Sequence, residues 1–262
     1  MAEQTPDTFR LNRFLAHAGI GSRRVCDDLI QRGGIKVNGE LEKNPAIQIN
    51  PEIDQVMFQG KLVKLQKNVF YYLLNKPRGV ITSTTDPFGR KTVIDLIESR
   101  ERIYPVGRLD YDTTGALLLT NDGDLAYQLT HPKFEIPKQY IALVKGHPNE
   151  EKLRELESGI KIENEFVAKG EINAFKIQGN NTEVTLTLRE GRKREVKKIF
   201  RTMGHPVIRL HRFHFAHILV DDLKLGQWRL LRDEEIQHLK SLMVKLSVHT
   251  ESQSHRDEKE ES

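Results

Sequence analysis

Apolar residues at Leu11, Phe14, Leu15 and Ala18 recur at i, i+3, i+4 and i+7, the spacing that turns one face of a helix toward a core. Gly19 and Gly21 stop that helix. Ser22 is placed to cap a second helix, in which Val25, Cys26, Leu29 and Ile30 point inward, and "RGG" ends it before the short strand "IKVNG". With the later "DQVMFQGKLVKL" these elements predict a compact module over residues 10–64, after a polar leader at 1–9 and before a linker at 65–69.

From "NVFYYLLNKPRGVITS" onward the pattern changes to apolar, β-branched and aromatic runs separated by Gly, Pro and Asp turns. Strands are predicted at 70–75, 80–84, 116–120, 139–145, 170–177, 182–189 and 206–219, and helices near 92–98, 124–130, 149–157 and 192–203. Strands with interspersed helices read as an α+β domain, here 70–246. Its last element is a docking helix with Ile236, Leu239, Leu242 and Leu246 on one face and Asp233 as its cap. The segment 247–262, acidic and without an apolar run, reads as a disordered tail.

Charge changes this picture through its distribution. The net charge is only +4, but residues 189–215 hold nine Lys or Arg against two Glu, a patch suited to phosphates. One cysteine, Cys26, rules out an internal disulfide framework. With no apolar signal segment and no run of eighteen apolar residues, a cytoplasmic protein with no membrane partner is expected.

The chemistry concentrates in "GRLDYDTTGALLLTNDGD", where four aspartates flank an apolar run. A calcium loop starting at Asp110 fails, because Thr114 and Asn121 stand where a ligand and the bidentate Glu are required. The histidines of "HRFHFAH" share a face only if helical; as a strand, the segment separates His214 from His211 and His217. No nucleophile elbow or phosphate loop is present. What remains is an Asp in a polar turn before an apolar strand, in a chain with a strongly basic segment. A nearby Lys or Arg would hold such a carboxylate ionised, as nucleophile or base; the alternative is an ordinary turn-forming Asp. Asp112 is expected to shape the same turn or support the site, and Asp124 to cap the helix that follows.

Two resemblances narrow these alternatives. "RLNRFLAHAGIGSRR" through "GGIKVNGE", about residues 10–56, resembles an S4 domain, a small RNA-binding module, which implies that Arg10, Arg13, Arg23, Arg24 and Lys36 contact RNA. "NKPRGVITS", "VGRLDYDTTGALLLTNDGDLAYQLTHP" and "REGRKREVKKIFRTMGHPVIRLHR", in that order, resemble the signature blocks of pseudouridine synthases of the RsuA/RluB type. The resemblance implies an S4 (α-L) domain followed by a mixed, largely antiparallel sheet with flanking helices. It also implies that Asp110 is the catalytic nucleophile, that Tyr140 stacks on the target base, that Lys197 pairs with Asp110, and that Arg108 manages the flipped nucleotide.

Arg192, Lys193, Arg194 and Lys198 would bind RNA. The third block departs from the commoner "EGRNRQVRRM" at Lys193, Glu195, Lys197, Lys198 and Ile199, and a Lys does not reproduce a bidentate Arg clamp. The implied partner is ribosomal RNA, 23S rather than 16S, modified by a monomer without cofactor or metal. Attack at the sugar, attack at the base and a glycal route all remain open at Asp110. The rival classes are a non-catalytic assembly factor on the same fold and a metal-dependent phosphodiesterase.

Overall fold

The computed structural model describes residues 8–66, 68–162 and 165–242. Residues 1–7 of the leader, the end of the expected C-terminal helix with Leu246, and the acidic tail lie outside the described residues. Contacts divide the chain into two units that meet in sequence at Val69 and Phe70.

In the first unit β1 (Phe9–Arg10) leads into α1 (Leu11–His17), and α2 (Arg23–Gln31) follows, with Ser22 Oγ accepting from Val25 N at 3.3 Å. β2 (Ile35–Val37) and β3 (Glu40–Glu42) form a hairpin whose Asn38–Gly39 turn has both φ angles positive, as a tight Asn-Gly turn requires. β4 (Gln48–Ile49) pairs with β1, while β5 (Val56–Phe58) pairs with β2 and with β6 (Lys61–Leu62). Leu11, Phe14, Leu15, Cys26 and Ile30 pack against Ile35, Ile49 and Val56. Val25 does not join them. It is 47% exposed, because α2 turns Cys26 and Ile30 inward and lays Val25 over Gly21.

The second unit is built on one sheet of nine strands. Its strands are β7 (Tyr71–Lys76), β8 (Tyr104–Pro105), β9 (Thr114–Thr120), β10 (Lys138–Lys145), β13 (Glu171–Gln178), β14 (Asn181–Leu188), β15 (Val207–Phe215), β16 (Ile218–Leu219) and β17 (Trp228–Leu230). The main path runs β13-β14-β10-β15-β9-β7-β17, with β16 beside β15 and β8 beside β9. Every pairing is antiparallel except β15 with β9, which is parallel and registers only His211 with Thr114 and Arg212 with Gly115. A separate hairpin joins β11 (Ile160–Ile162) to β12 (Phe166–Ala168).

β9 reads as a continuous apolar run because both its faces are covered. Ala116 and Leu118 pack with Leu125 and Leu129 of α3 (Gly123–Thr130), while Leu117 and Leu119 pack with Val93, Ile97 and Ile103 on the other face. The other half of the sheet packs Ala142, Val184 and Leu186 against α4 (Glu150–Ser158) and α5 (Glu195–Thr202).

Several expectations change. The stretch 80–84 is not a strand: its one ladder contact is an isolated bridge from Ile81 to Thr92, because its backbone is committed to the neighbouring loop. The helix near 92–98 is a single 3-10 turn, Ile94–Leu96. The strand 206–219 breaks in two, because Ala216 and His217 take positive φ and fold β16 back on β15. His217 thereby comes within 5.6 Å of His214, ring to ring, while His211 hydrogen-bonds Thr114; the separation expected of a straight strand does not hold. The basic helix begins at Glu195, not at 192, because Arg194 is left-handed at φ 55°. Asp122, not Asp124, caps α3, accepting from the N–H groups of Asp124 and Leu125. The last helix starts at 233, and Glu235 reaches back to accept from Arg232 N at 2.7 Å, so Asp233 is not its cap.

Candidate functional site

Asp110 sits in the turn before β9, and that turn is tied down from beneath. Lys76, fully buried at the end of β7, donates from Nζ to the carbonyls of Pro77, Asp110 and Thr113, each at 3.1 Å. Burial pulls its pKa down to about 8, against the opposing charges of Asp112 and Asp110. Thr82 accepts from Leu109 N and donates to Leu109 O, and Gly79 N donates to Tyr111 O at 2.9 Å. The backbone on both sides of Asp110 is therefore fixed.

The side chain meets α5. Lys197 Nζ donates to Asp110 Oδ2 at 2.8 Å and to Asp112 Oδ1 at 2.5 Å. The Lys197 side chain is 12% exposed while the Asp110 side chain is 34% exposed, so the carboxylate keeps a face open. Burial works against the charge on Asp112, but the Lys197 hydrogen bond and charge outweigh it and hold its pKa below the ordinary range.

Beside Asp110 lies a cavity of about 300 Å³. One wall is the 106–110 turn with Arg108, which is exposed; the other is the loop 191–194 and the start of α5. Strand alternation and register build its floor. Tyr140 of β10 is the cross-strand partner of Arg212 of β15, and Arg212 is the partner of Gly115 of β9. Gly115 has φ +113°, and a Cβ there would stand 2.1 Å from Arg212 O, so only glycine lets the two strands approach. Arg212 is buried, with Nε on Ala116 O at 2.9 Å and its guanidinium 4.5 Å from the Phe215 ring centroid.

Tyr140 is 9% exposed and burial raises its pKa, against Arg212, which stabilises the charged form. Lys138 adds a second buried ammonium, held by the carbonyls of Ile136 and Arg189 and lowered to about 8 by burial. Glu195 is buried, accepts from Arg192 N at 3.0 Å, and is raised by burial.

Asp110, Arg108, Tyr140 and Lys197, expected from the sequence to act together, thus meet at one site. Lys193, Arg194, Lys197, Lys198 and Arg201 line an adjoining basic hollow of about 260 Å³. Lys198 pairs with Glu165, and Arg192 pairs with Glu190 and lies 4.6 Å over the Phe166 ring. In the first unit Arg10, Arg23, Arg24 and Lys36 are exposed, and Arg13 lies half-buried over Phe9. Among the described residues no group of three or more His, Cys, Asp or Glu is arranged to hold a metal, and no helix is long and apolar enough to cross a membrane.

Sequence reasoning missed Lys76, Lys138, Glu195 and Arg212 as site residues. The signal for Lys76 was present: an ammonium ending an apolar strand requires carbonyl or carboxylate partners. Arg212 was hidden in the count of a basic patch.

The family model for RNA pseudouridylate synthase matches residues 70–202, and that for the S4 domain matches 9–52. The ribosomal large subunit pseudouridine synthase B of Bacillus subtilis (strain 168) is 43% identical over 89% of this chain and 96% of its own length. An uncharacterised RNA pseudouridine synthase of Aquifex aeolicus (strain VF5) is 42% identical over 88% of this chain and 93% of its own. A crystal structure of a pseudouridylate synthase, 30% identical, superposes with a TM-score of 0.63 over 88% of this chain and 99% of that one.

Proposed function

This chain belongs to the RNA pseudouridylate synthase family, and from that premise we propose that it isomerises a specific uridine of large-subunit 23S ribosomal RNA, with Asp110 as the nucleophile. The observation that carries the reading is the salt link from Lys197 to Asp110 and Asp112 at the mouth of the cavity floored by Tyr140.

The reaction breaks the N1–C1′ bond and makes a C5–C1′ bond; the C5 proton leaves to solvent and N1 gains one. It is redox-neutral and needs no cofactor. Lys197 pairs with Asp110 without covering it, so a carboxylate oxygen stays free to attack. The target base lies within folded RNA and must be flipped out at a cost of a few kcal/mol, which stacking and cationic contacts offset. Tyr140 supplies the aromatic surface, and Arg108 on the rim manages the flipped nucleotide and the backbone near it. The hollow with Lys193, Arg194 and Lys198, together with Arg192, takes the phosphates beside it. Arg10, Arg13, Arg23, Arg24 and Lys36 grip the RNA elsewhere. The similarity to the large-subunit enzyme of B. subtilis favours 23S over 16S RNA.

Tritium release from 23S transcripts labelled at uridine C5 tests the assignment, followed by mapping of the product site. Release is expected to resist chelator and to fall at least about 10⁴-fold in Asp110→Asn. Release that survives the substitution removes Asp110 from the role, and release only from 16S RNA moves the substrate.

A further inference from the structure

Two buried polar atoms in the floor and wall of the cavity have no hydrogen-bond partner: Arg212 Nη2 and Glu195 Oε1. Each residue is anchored by another of its atoms. Arg212 uses Nε on Ala116 O and its guanidinium face on Phe215; Glu195 uses Oε2 on Arg192 N. The two orphaned atoms do not satisfy each other. Arg212 also donates to the Tyr140 hydroxyl, on whose charge Glu195 and Asp110 act as well, and both Arg212 and Glu195 line the same cavity. Thr113 Oγ1 is also without a partner at the cavity, but a hydroxyl both donates and accepts and so discriminates little. A buried orphan is costly, and one fixed donor and one fixed acceptor lining the same cavity are the form of a recognition site awaiting its ligand.

Uracil presents carbonyl, N3–H and carbonyl in a row. A guanidinium is a donor only, and an ionised carboxylate is an acceptor only. We propose that Arg212 Nη2 donates to a carbonyl of the target uracil while Glu195 Oε1 accepts from its N3–H, so that the pair selects uracil over cytosine. Cytosine fails in either orientation: its N3 is always an acceptor facing the carboxylate, and when the base is turned to put N4 at Arg212 a donor also faces the guanidinium. This inference rests on the reading that the cavity takes the target base.

The same pairing suits the isomerisation itself. Converting an N1 link to a C5 link turns the uracil by 180° about the axis through N3 and C6, which exchanges N1 with C5 and O2 with O4. N3–H lies on that axis and does not move, and one carbonyl replaces the other beside Arg212. The two groups therefore hold the base before and after the turn with the same hydrogen bonds, so the detached uracil is retained in the register needed for C5 attack.

The test uses the full chain and a stem–loop RNA spanning the uridine that the mapping above identifies, carrying uridine, N3-methyluridine, 4-thiouridine or cytidine at that position. Wild type is expected to act on N3-methyluridine at a single-turnover rate lower by roughly 5- to 150-fold, the discrimination typical of a well-placed base contact. Glu195→Met lowers the rate on uridine by a similar factor with RNA affinity unchanged, and the methyl group then adds little further loss. Glu195→Gln, which keeps an oxygen acceptor, recovers most of what Glu195→Met loses. Arg212→Lys loses rate on uridine and becomes insensitive to 4-thiouridine.

Losses that multiply independently between enzyme and base overturn the proposal. So does full-rate turnover of N3-methyluridine by wild type, a measurement that needs no folded variant. If wild type makes no pseudouridine in any ribosomal RNA, the functional reading fails instead, and the two failures are distinct.

Discussion

The turn that carries Asp110 and the segment that opens α5 line one cavity, yet they are held by different physics. Beneath the first, a fully buried ammonium binds three carbonyls and a threonine grips the adjacent residue in both directions, so its backbone has no slack. The loop 191–194 ahead of α5 is held by Glu195 and by the surface pair of Arg192 with Glu190 and contains a left-handed arginine, although α5 itself packs into the core. Surface pairs of this kind contribute little to stability. One wall thus fixes the Asp110 carboxylate, and the other presents positive charge on a less tightly bonded loop.

Four substitutions break or sharpen that contrast, from the most severe to the mildest. Gly115→Ala forces a Cβ into the Arg212 backbone at an unfavourable φ and separates the strands that join the two walls. A loss of about 3 kcal/mol or more is expected in urea unfolding followed by Trp228 fluorescence. Lys76→Met keeps the bulk but leaves three carbonyls without their donor, and a loss of about 2 kcal/mol is expected at pH 7.

Lys76 also has a pH signature. Its pKa of about 8 lies below the unfolded value, so from about pH 8 to 10.5 the unfolded chain binds more protons and the site's contribution to stability rises with pH. The gap between wild type and Lys76→Met should widen across that window, and a gap that narrows would place the ammonium outside its buried setting. Lys197→Met removes the link between the walls. Single-turnover pseudouridine formation should fall about 100-fold, and Lys197→Arg should recover most of it, with RNA affinity tracking charge alone. Arg194→Gly relieves a left-handed residue and should raise stability by about 1 kcal/mol, while lowering the slope of log affinity against log salt by about 1.

What the sequence disclosed follows the same division. The residues alone left Asp110 open between a turn-former and a reacting carboxylate, and only the resemblance of its block singled it out, whereas the apolar run after it marked a buried strand directly. The amphipathic spacing of Leu11 to Ala18 gave α1, and the lone chain break in the helical pattern at Gly19–Gly21 gave the start of α2. What stayed hidden depends on partners far along the chain. Arg212 looks like one more cation in a basic stretch until β10 and β9 bury it between Tyr140 and Gly115. The reversal at Ala216–His217 lacks the Gly or Asn that announces a tight hairpin, so two strands read as one. Stretch 80–84 has strand composition, but its backbone bonds go to a loop and the Thr82 hydroxyl bonds Leu109.

The parallel seam between β9 and β15 joins partners that lie 96 and 97 positions apart in the chain. When Asp110 is added to the growing chain Lys76 is already present, while Arg212 is still about a hundred residues from being made. At roughly 5–20 residues per second, several seconds pass in which the nascent chain carries the carboxylate but has no floor on which a base can lie. The cavity beside Asp110 therefore cannot be completed until nearly the whole chain has been made.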